Sequence, residues 1–263
     1  MYELRWLAVL PWAFVSAAAT ASDFGQGWSG SIGVLGGFSN GSVISEGVST
    51  TVKPVLGLRK GRFSLTLGAG FAALDNTDTG SSMGLDLLRR DDLRLSLSLR
   101  SDRGRNDLRS IYGLDAPGAT LRFRPAVTWI PHRHWRVAAG VNFDALGRNG
   151  GTTADITLGH VRALSPTLRW LPSLRLGFGD DQFVTRQFGL DATAARSSGL
   201  PTFTAQPGLV SVRLASDWRL ELGNRWVATW GLSAVQFAGA ARATPLTDRA
   251  LSFGAQAGVA RRF

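Results

Sequence analysis

The feature that most constrains this chain is a strict alternation of apolar and polar residues that recurs over most of its length. In 93–100, the sequence LRLSLSLR sets four leucines against two arginines and two serines. A period of two places successive side chains on opposite faces of a β-strand. Twelve such segments follow one another, at 28–38, 52–58, 63–71, 83–88, 93–100, 121–129, 135–143, 154–161, 168–178, 210–218, 226–234 and 251–263. The sequence therefore predicts an all-β meander of about twelve long strands.

Two architectures show this alternation, and the composition of the polar face and the lengths of the connectors distinguish between them. A soluble sandwich turns its apolar face inward, whereas a membrane barrel turns it outward. Here the polar face is rich in Gly, Ser and Arg, which suits a lumen more than a solvated surface. Short connectors (59–62, 89–92, 131–134, 162–167 and 219–225) alternate with long ones (39–49, 73–82, 101–118, 144–153, 179–208 and 238–250). Short turns at one end and long loops at the other are typical of outer-membrane barrels.

The aromatic residues provide an independent indication. If the first strand runs outward, phenylalanines 38, 71, 143 and 178 fall at the long-loop ends. The short-turn ends then carry Trp28, Trp129, Trp135, Trp170, Trp218, Trp226 and Phe263. Two aromatic girdles flank the apolar band of a membrane barrel, and a sandwich core has no reason to sort its aromatic residues in this way. We therefore predict a transmembrane up-and-down antiparallel β-barrel.

Both ends of the chain carry export signals. Residues 6–15 form a ten-residue apolar run, too short to span a bilayer as a helix, and Ala19-Thr20-Ala21 offers a cleavage site. We predict a cleaved signal peptide over 1–21 and a barrel domain over 22–263. The final Phe263 resembles the terminal signal that the barrel-assembly machinery reads, although Arg261 stands where an aromatic residue is usual.

Composition excludes several classes of function. The chain has no Cys, so a disulfide framework, a Cys-based metal site and a Cys nucleophile are excluded. With only three His, we predict no metal and no cofactor. The net charge of +10 does not indicate nucleic acid, because the basic residues lie on strands of an exported protein. Arginines 103, 105 and 109 of a long loop would contact lipopolysaccharide phosphates or remain solvated.

Several loop and strand motifs resemble those of the MipA/OmpV family of outer-membrane proteins. The most specific is 187–209, with Phe188-Gly189, Ser198-Gly199-Leu200-Pro201 and Pro207-Gly208-Leu209. Gly150-Gly151, Leu164-Ser165-Pro166 and Gly179-Asp180-Asp181 upstream are also similar to that family. Departures are an early element reduced to Ser39-Asn40-Gly41-Ser42 and a short final loop. The likeness covers most of the chain after the signal peptide.

The resemblance implies an outer-membrane protein of a Gram-negative bacterium. The family's namesake is a scaffold that links a murein lytic transglycosylase to a bifunctional penicillin-binding protein. A scaffold for peptidoglycan-remodelling proteins is therefore the first functional hypothesis. The shared motifs imply no catalytic or binding residues.

The inward face supports a second hypothesis, a narrow anion-preferring channel. Arginine and lysine predominate over acids there, and rings of such residues favour anions in pores. The candidate residues are Lys53, Arg100, Arg122, Arg124, Arg175 and Arg213. The alternative is a filled barrel whose arginines pair with inward Asp86, Asp144, Asp155 and Asp217, with loop acids and with backbone carbonyls. The long connector 179–208 could fold inward as a constriction.

An enzyme is the third hypothesis. A barrel hydrolase needs a nucleophile activated by His. His132, His134 and His160 all fall near the short turns, far from the acids Asp180 and Asp181 at the opposite rim, and Ser165 follows His160 only across a turn. We predict turn or interfacial histidines and no enzymatic activity.

Overall fold

The computed structural model describes residues 27–40, 48–67, 81–102 and 119–263. The predicted signal peptide, the loop arginines 103, 105 and 109 and the end of the predicted strand 63–71 lie outside the described residues. Within them the chain forms twelve strands, eight of which precede the longest connector. These eight are β1 Trp28–Ser39, β2 Ser49–Lys60, β3 Phe63–Leu67, β4 Ser82–Arg89, β5 Leu93–Asp102, β6 Thr120–His132, β7 Trp135–Asp144 and β8 Thr153–His160.

The remaining strands complete a closed antiparallel barrel. They are β9 Leu168–Gly179, β10 Gly208–Leu222, β11 Trp226–Phe237 and β12 Leu251–Arg262, and Arg162–Ala163 continues β8 beyond Val161. Each strand pairs with the next, and β12 pairs with β1 from Ser31↔Arg262 to Ser39↔Gly254. Closure removes the free edges of the sheet. The predicted fold class is confirmed, and each predicted segment, as far as it lies within the described residues, coincides with a strand.

Cross-strand register fixes which side chains face the lumen, and the burial pattern is inverted relative to a soluble protein. Ser31, Thr66, Ser98 and Asp155 are buried polar residues on the inner face. Large apolar residues on the outer face remain exposed, for example Val52 at 69%. An outer face this apolar is favourable only against lipid, as in a membrane barrel.

The two ends of the barrel differ as the connector lengths predict. Tight turns close one end, and Gly61 allows the turn between β2 and β3 because its φ is +55°. At the other end lie three short helices that the sequence did not predict: α1 Asp181–Phe188, α2 Ala192–Ser198 and α3 Gly239–Ala243. Among the described residues, no helix combines the length and hydropathy needed to cross a bilayer.

Candidate functional site in the barrel lumen

An ion-pair network braces the lumen wall formed by β6 to β9. Arg124 of β6 makes a bidentate pair with Asp155 of β8, with N–O distances of 2.6 and 3.0 Å. Arg175 of β9 donates to the same carboxylate at 2.8 Å. The side chains of Arg124 and Asp155 are each only 6% exposed. Loss of either partner would leave an uncompensated buried charge, so the pair ties these strands together.

Gly140 of β7 provides the space for this pair. Because β7 lies between β6 and β8, the Arg124 guanidinium must cross it to reach Asp155. A Cβ added at Gly140 would lie 2.4 Å from Cζ of Arg124. The network therefore requires glycine at this position, because a side chain would occupy the space of the Arg124 guanidinium.

Arg122 connects the wall to the loops above it. Its Nε donates to Asp102 at 2.9 Å, and its terminal nitrogens donate to the carbonyls of Gly150 and Gly151 at 3.0 and 2.6 Å. Its guanidinium also lies 6.0 Å from the ring centroid of Phe183, a cation–π contact. Arg122 therefore donates its hydrogen bonds to other groups of the protein.

The long connectors 180–207 and 238–250 pack into one unit, which we call the cap. Asp180 begins α1 by accepting a hydrogen bond from the Phe183 amide at 2.7 Å, and Thr244 donates to the Phe188 carbonyl at 2.8 Å. A Cβ at inward-facing Gly179 would lie 2.4 Å from Cδ1 of Phe183, so α1 begins on the inner side of the rim. The buried core of the cap consists of Val184, Phe188, Leu190, Ala205, Ala240, Ala241 and Leu246.

A polar cavity of about 380 Å³ lies along the rest of the barrel wall, on the consecutive strands β10, β11, β12, β1 and β2. It extends from Ser39 at the loop end of β1 to Asp217 in the middle of β10. Lys53 and Arg213 are its cationic lining residues. Asp217 accepts a hydrogen bond from Gln256 at 3.3 Å and attracts Arg213 electrostatically.

The six cations singled out from the sequence occupy inward positions, but the structure divides them between two places. Arg122, Arg124 and Arg175 belong to the braced wall, and Arg100 lies directly opposite Arg122 in the β5–β6 register. Lys53 and Arg213 line the cavity. The structure therefore separates cations that brace the wall from cations that face open space.

Tryptophans lie at the short-turn ends of the strands. Trp28, Trp129, Trp135 and Trp226 are exposed on the outer face, each at or near the end of its strand. Trp170 and Trp218 are half-buried, and Trp170 donates its indole N–H to Ser216 at 2.8 Å. This end of the barrel presents the ring systems and N–H donors that a lipid–water boundary accommodates.

Phe263 lies at the seam where the barrel closes. Its amide and carbonyl exchange hydrogen bonds of 3.0 and 2.9 Å with Gly30. A Cβ at Gly30 would lie 2.5 Å from the Phe263 ring, so the glycine provides the groove in which that ring packs.

A comparison with protein-family models places this architecture. The model for the MltA-interacting protein MipA matches residues 32–263, which include all of the barrel after the first residues of β1. The chain belongs to the MipA family. No curated protein matches the chain significantly.

Solved structures similar to this MipA-family barrel are distant. A NanC porin is 8% identical with a TM-score of 0.48, and the match covers 88% of this chain and 98% of that one. A bacterial polysaccharide outer membrane secretin is 12% identical (TM-score 0.44, 89% and 98% covered). OmpT of Vibrio cholerae is 4% identical (TM-score 0.38, 91% and 98% covered). Similarities this weak establish no functional relationship.

Family membership and the inverted burial pattern of the barrel together indicate where the protein lies in the cell. Apolar side chains cover its outer face and polar side chains its lumen. The MipA-family chain is an outer-membrane barrel protein of a Gram-negative bacterium. By the usual topology of such barrels, the short turns face the periplasm and the cap faces outward.

The three histidines cluster at the periplasmic turns. Ring centroids of His132 and His134 are 5.6 Å apart, those of His134 and His160 are 6.1 Å apart, and His160 meets Trp135 edge-on at 4.7 Å. Ser165 accepts hydrogen bonds from the turn amides of Thr167 and Leu168. Within the described ranges, no cluster of three or more His, Asp or Glu could hold a metal ion.

Sequence reasoning missed several residues of the lumen and its outer face. Asp102 pairs with Arg122, and Glu221 pairs with Arg219 at 2.9 Å and with Arg262. Extending the period-two pattern by one step in β5 would have found Asp102, and by two steps in β10 would have found Glu221. Trp230 stacks on Trp218 across the strands, with ring centroids 6.2 Å apart and an interplanar angle of 7°.

Proposed function

We propose that this MipA-family barrel is a membrane scaffold whose periplasmic turns bind a peptidoglycan-remodelling enzyme. The observation that carries the proposal is the charge of those turns. Exposed cations from separate turns surround the periplasmic end: Lys60, Arg62, Arg89, Arg90, Arg133, Arg162 and Arg225. Two acids share the turn of Arg89 and Arg90: Asp91, which is exposed, and Asp92, which is paired with Arg90 at 3.2 Å. The excess of positive charge therefore comes from the other turns.

A ring of exposed cations attracts an acidic partner surface over a distance of about 10 Å at 0.1 M salt. It accelerates association and makes binding salt-dependent. The family name supports a lytic transglycosylase, MltA, as the partner, and the resemblance adds a penicillin-binding protein. Five small turns provide little buried area, so we expect electrostatic and multivalent binding.

The scaffold is tested by charge reversal at the turns. Detergent-purified protein is immobilised, and binding of purified lytic transglycosylase and penicillin-binding protein is measured at 50 and 300 mM salt. We expect Arg62→Glu with Arg133→Glu and Arg162→Glu to weaken binding at least tenfold at 50 mM. The matched control, Arg196→Glu with Arg249→Glu, reverses exposed cap charges and should bind normally. Unchanged binding by the turn variant refutes the proposal.

A second candidate function, an anion-preferring passage, is supported by the cavity. Lys53 and Arg213 line about 380 Å³ of open volume beside the carboxylate of Asp217. In planar bilayers under a KCl gradient, we expect discrete conductance steps with a chloride-favouring reversal potential. Lys53→Glu with Arg213→Glu should shift that potential toward potassium. Electrical silence from correctly folded protein, recognised by its heat-modifiable migration, refutes the passage and leaves the scaffold untouched.

A further inference from the structure

We propose that the cavity at Lys53 and Arg213 is a binding site for a small polyhydroxylated anion, of the size of a six-carbon sugar acid. The inference deepens the anion-passage candidate by naming the class of solute, and it rests on the same cavity.

The volume sets the size of the ligand. A cavity of about 380 Å³ has room for a small organic ligand and not only for a single water or ion. Ligand pockets commonly fall between about 300 and 1,000 Å³. A sugar acid fits this space.

The charges of the lining residues indicate the sign of the charge that the ligand carries. Lys53 comes from β2 and Arg213 from β10, so the cations approach the space from different strands. Among the described residues, Asp217 is the acid of the lining; it accepts a hydrogen bond from Gln256 and attracts Arg213 electrostatically. The cross-strand neighbours of Arg213 are Arg175 and Val235, neither of which supplies a second carboxylate. A ligand carboxylate or phosphate would balance the remaining positive charge.

The uncharged side chains of the lining indicate which other groups the ligand carries. Ser39, Ser49, Thr51 and Ser233 contribute hydroxyls, which both donate and accept hydrogen bonds. Leu35 adds an apolar surface against which the C–H groups of a sugar ring can pack. A ligand with a negative group and several hydroxyls matches this lining better than a simple inorganic anion does.

Glycines on the surrounding strands keep the space open. A Cβ at Gly231 would lie 1.9 Å from Oδ1 of Asp217, so the carboxylate lies against the wall at that glycine. At Gly37 a Cβ would have 3.3 Å to the nearest atom, the carbonyl oxygen of Ala255. A larger side chain at Gly37 would therefore extend into the cavity, while the same side chain at neighbouring Gly36 would extend toward lipid.

The experiment measures binding by isothermal titration calorimetry on the full barrel purified from outer membranes in detergent. The probes are galacturonate, glucose 6-phosphate, neutral galactose and acetate. We expect one or both of the polyhydroxylated anions to bind at least tenfold more tightly than galactose and acetate. Preference for galacturonate identifies a carboxylate ligand, and preference for glucose 6-phosphate identifies a phosphate ligand.

Two pairs of variants test the location of the site. Lys53→Ala with Arg213→Ala should weaken binding of the preferred probe at least tenfold, and Arg249→Gln in the cap should leave it unchanged. Gly37→Leu should abolish binding with both cations still present, whereas Gly36→Leu should bind normally. Equal binding of galactose, or the same affinity in both leucine variants, overturns the site.

The proposed binding site and the proposed passage can be refuted independently of each other. Protein that is silent in planar bilayers but binds a polyhydroxylated anion keeps the site and loses the passage. Protein that conducts chloride but binds neither anionic probe keeps the passage and loses the site.

Discussion

Two walls of one barrel use the same kind of residue for opposite purposes. On the β6–β9 wall, Arg124 reaches across Gly140 to Asp155, and the pair is almost completely buried. On the cavity wall, Arg213 has Arg175 and Val235 as its cross-strand neighbours and faces open space. The difference lies in the partners that register supplies. An arginine braces the barrel where a carboxylate on the neighbouring strands accepts its hydrogen bonds, and it lines open space where its cross-strand neighbours offer no such acceptor.

The largest effect should follow from removing the carboxylate shared by the braced wall. Asp155→Asn keeps the shape but leaves Arg124 and Arg175 without their common anion. We expect a loss of about 3–5 kcal/mol in the free energy of unfolding, the usual cost of breaking a buried pair from one side. Urea unfolding in detergent micelles, followed by tryptophan fluorescence, measures it.

Asp91→Asn is the matched control for that prediction. Asp91 lies in an exposed periplasmic turn, and its substitution should change stability by less than about 0.5 kcal/mol. If the Asp155 and Asp91 variants unfold alike, the wall is not braced by its ion pairs, and the contrast between the two walls disappears.

The cap provides a test of whether packing above the lumen is independent of the bracing below. Phe188 is 6% exposed in the cap core, and truncation of a buried Phe to Ala typically costs about 3–5 kcal/mol. We expect Phe188→Ala to open the cap locally, which limited proteolysis detects as rapid cleavage within 180–207. The barrel should still migrate as a folded, heat-modifiable species. Loss of that migration would mean that cap and wall form one cooperative unit.

A smaller effect should follow from filling the space that the bracing arginine occupies. Gly140→Ala places a Cβ 2.4 Å from the Arg124 guanidinium carbon, so the side chain must move away from Asp155. We expect a loss of about 1–3 kcal/mol, the usual cost of overpacking. Gly159→Ala on β8 is the control, because its Cβ would meet its nearest atom, the carbonyl oxygen of Arg136, at 3.9 Å. Equal stability of the two variants would contradict the proposed role of Gly140.

The sequence predicts the strands well because a period of two is a local signal. Each predicted segment coincides with a strand, and the observed strands mostly extend it by one to four residues. The helices α1 and α2 were missed because they are only eight and seven residues long, too short for a helical period to stand out in the sequence. Their N-cap residues, Asp180 and Asp191, were the available signal.

The partners of the lumen cations were not predictable in the same way. Arg124 and Asp155 are 31 residues apart, and their contact depends on the stagger of three strands in the closed barrel. Alternation gives the face of each residue but not its height along the barrel axis. The inward cations could therefore be identified from the sequence, while their division into bracing and open groups could not.

The smallest effect on stability should come from the cavity wall. Lys53 is exposed in the lumen, and its described neighbour in register is the apolar Leu35 of β1. We expect Lys53→Met, which keeps the length of the side chain, to change the free energy of unfolding by less than about 0.5 kcal/mol. The same urea titration used for Asp155→Asn measures it. A loss comparable to that of Asp155→Asn would show that Lys53 braces the barrel after all, and of the two lining cations the cavity would then offer a ligand Arg213 alone.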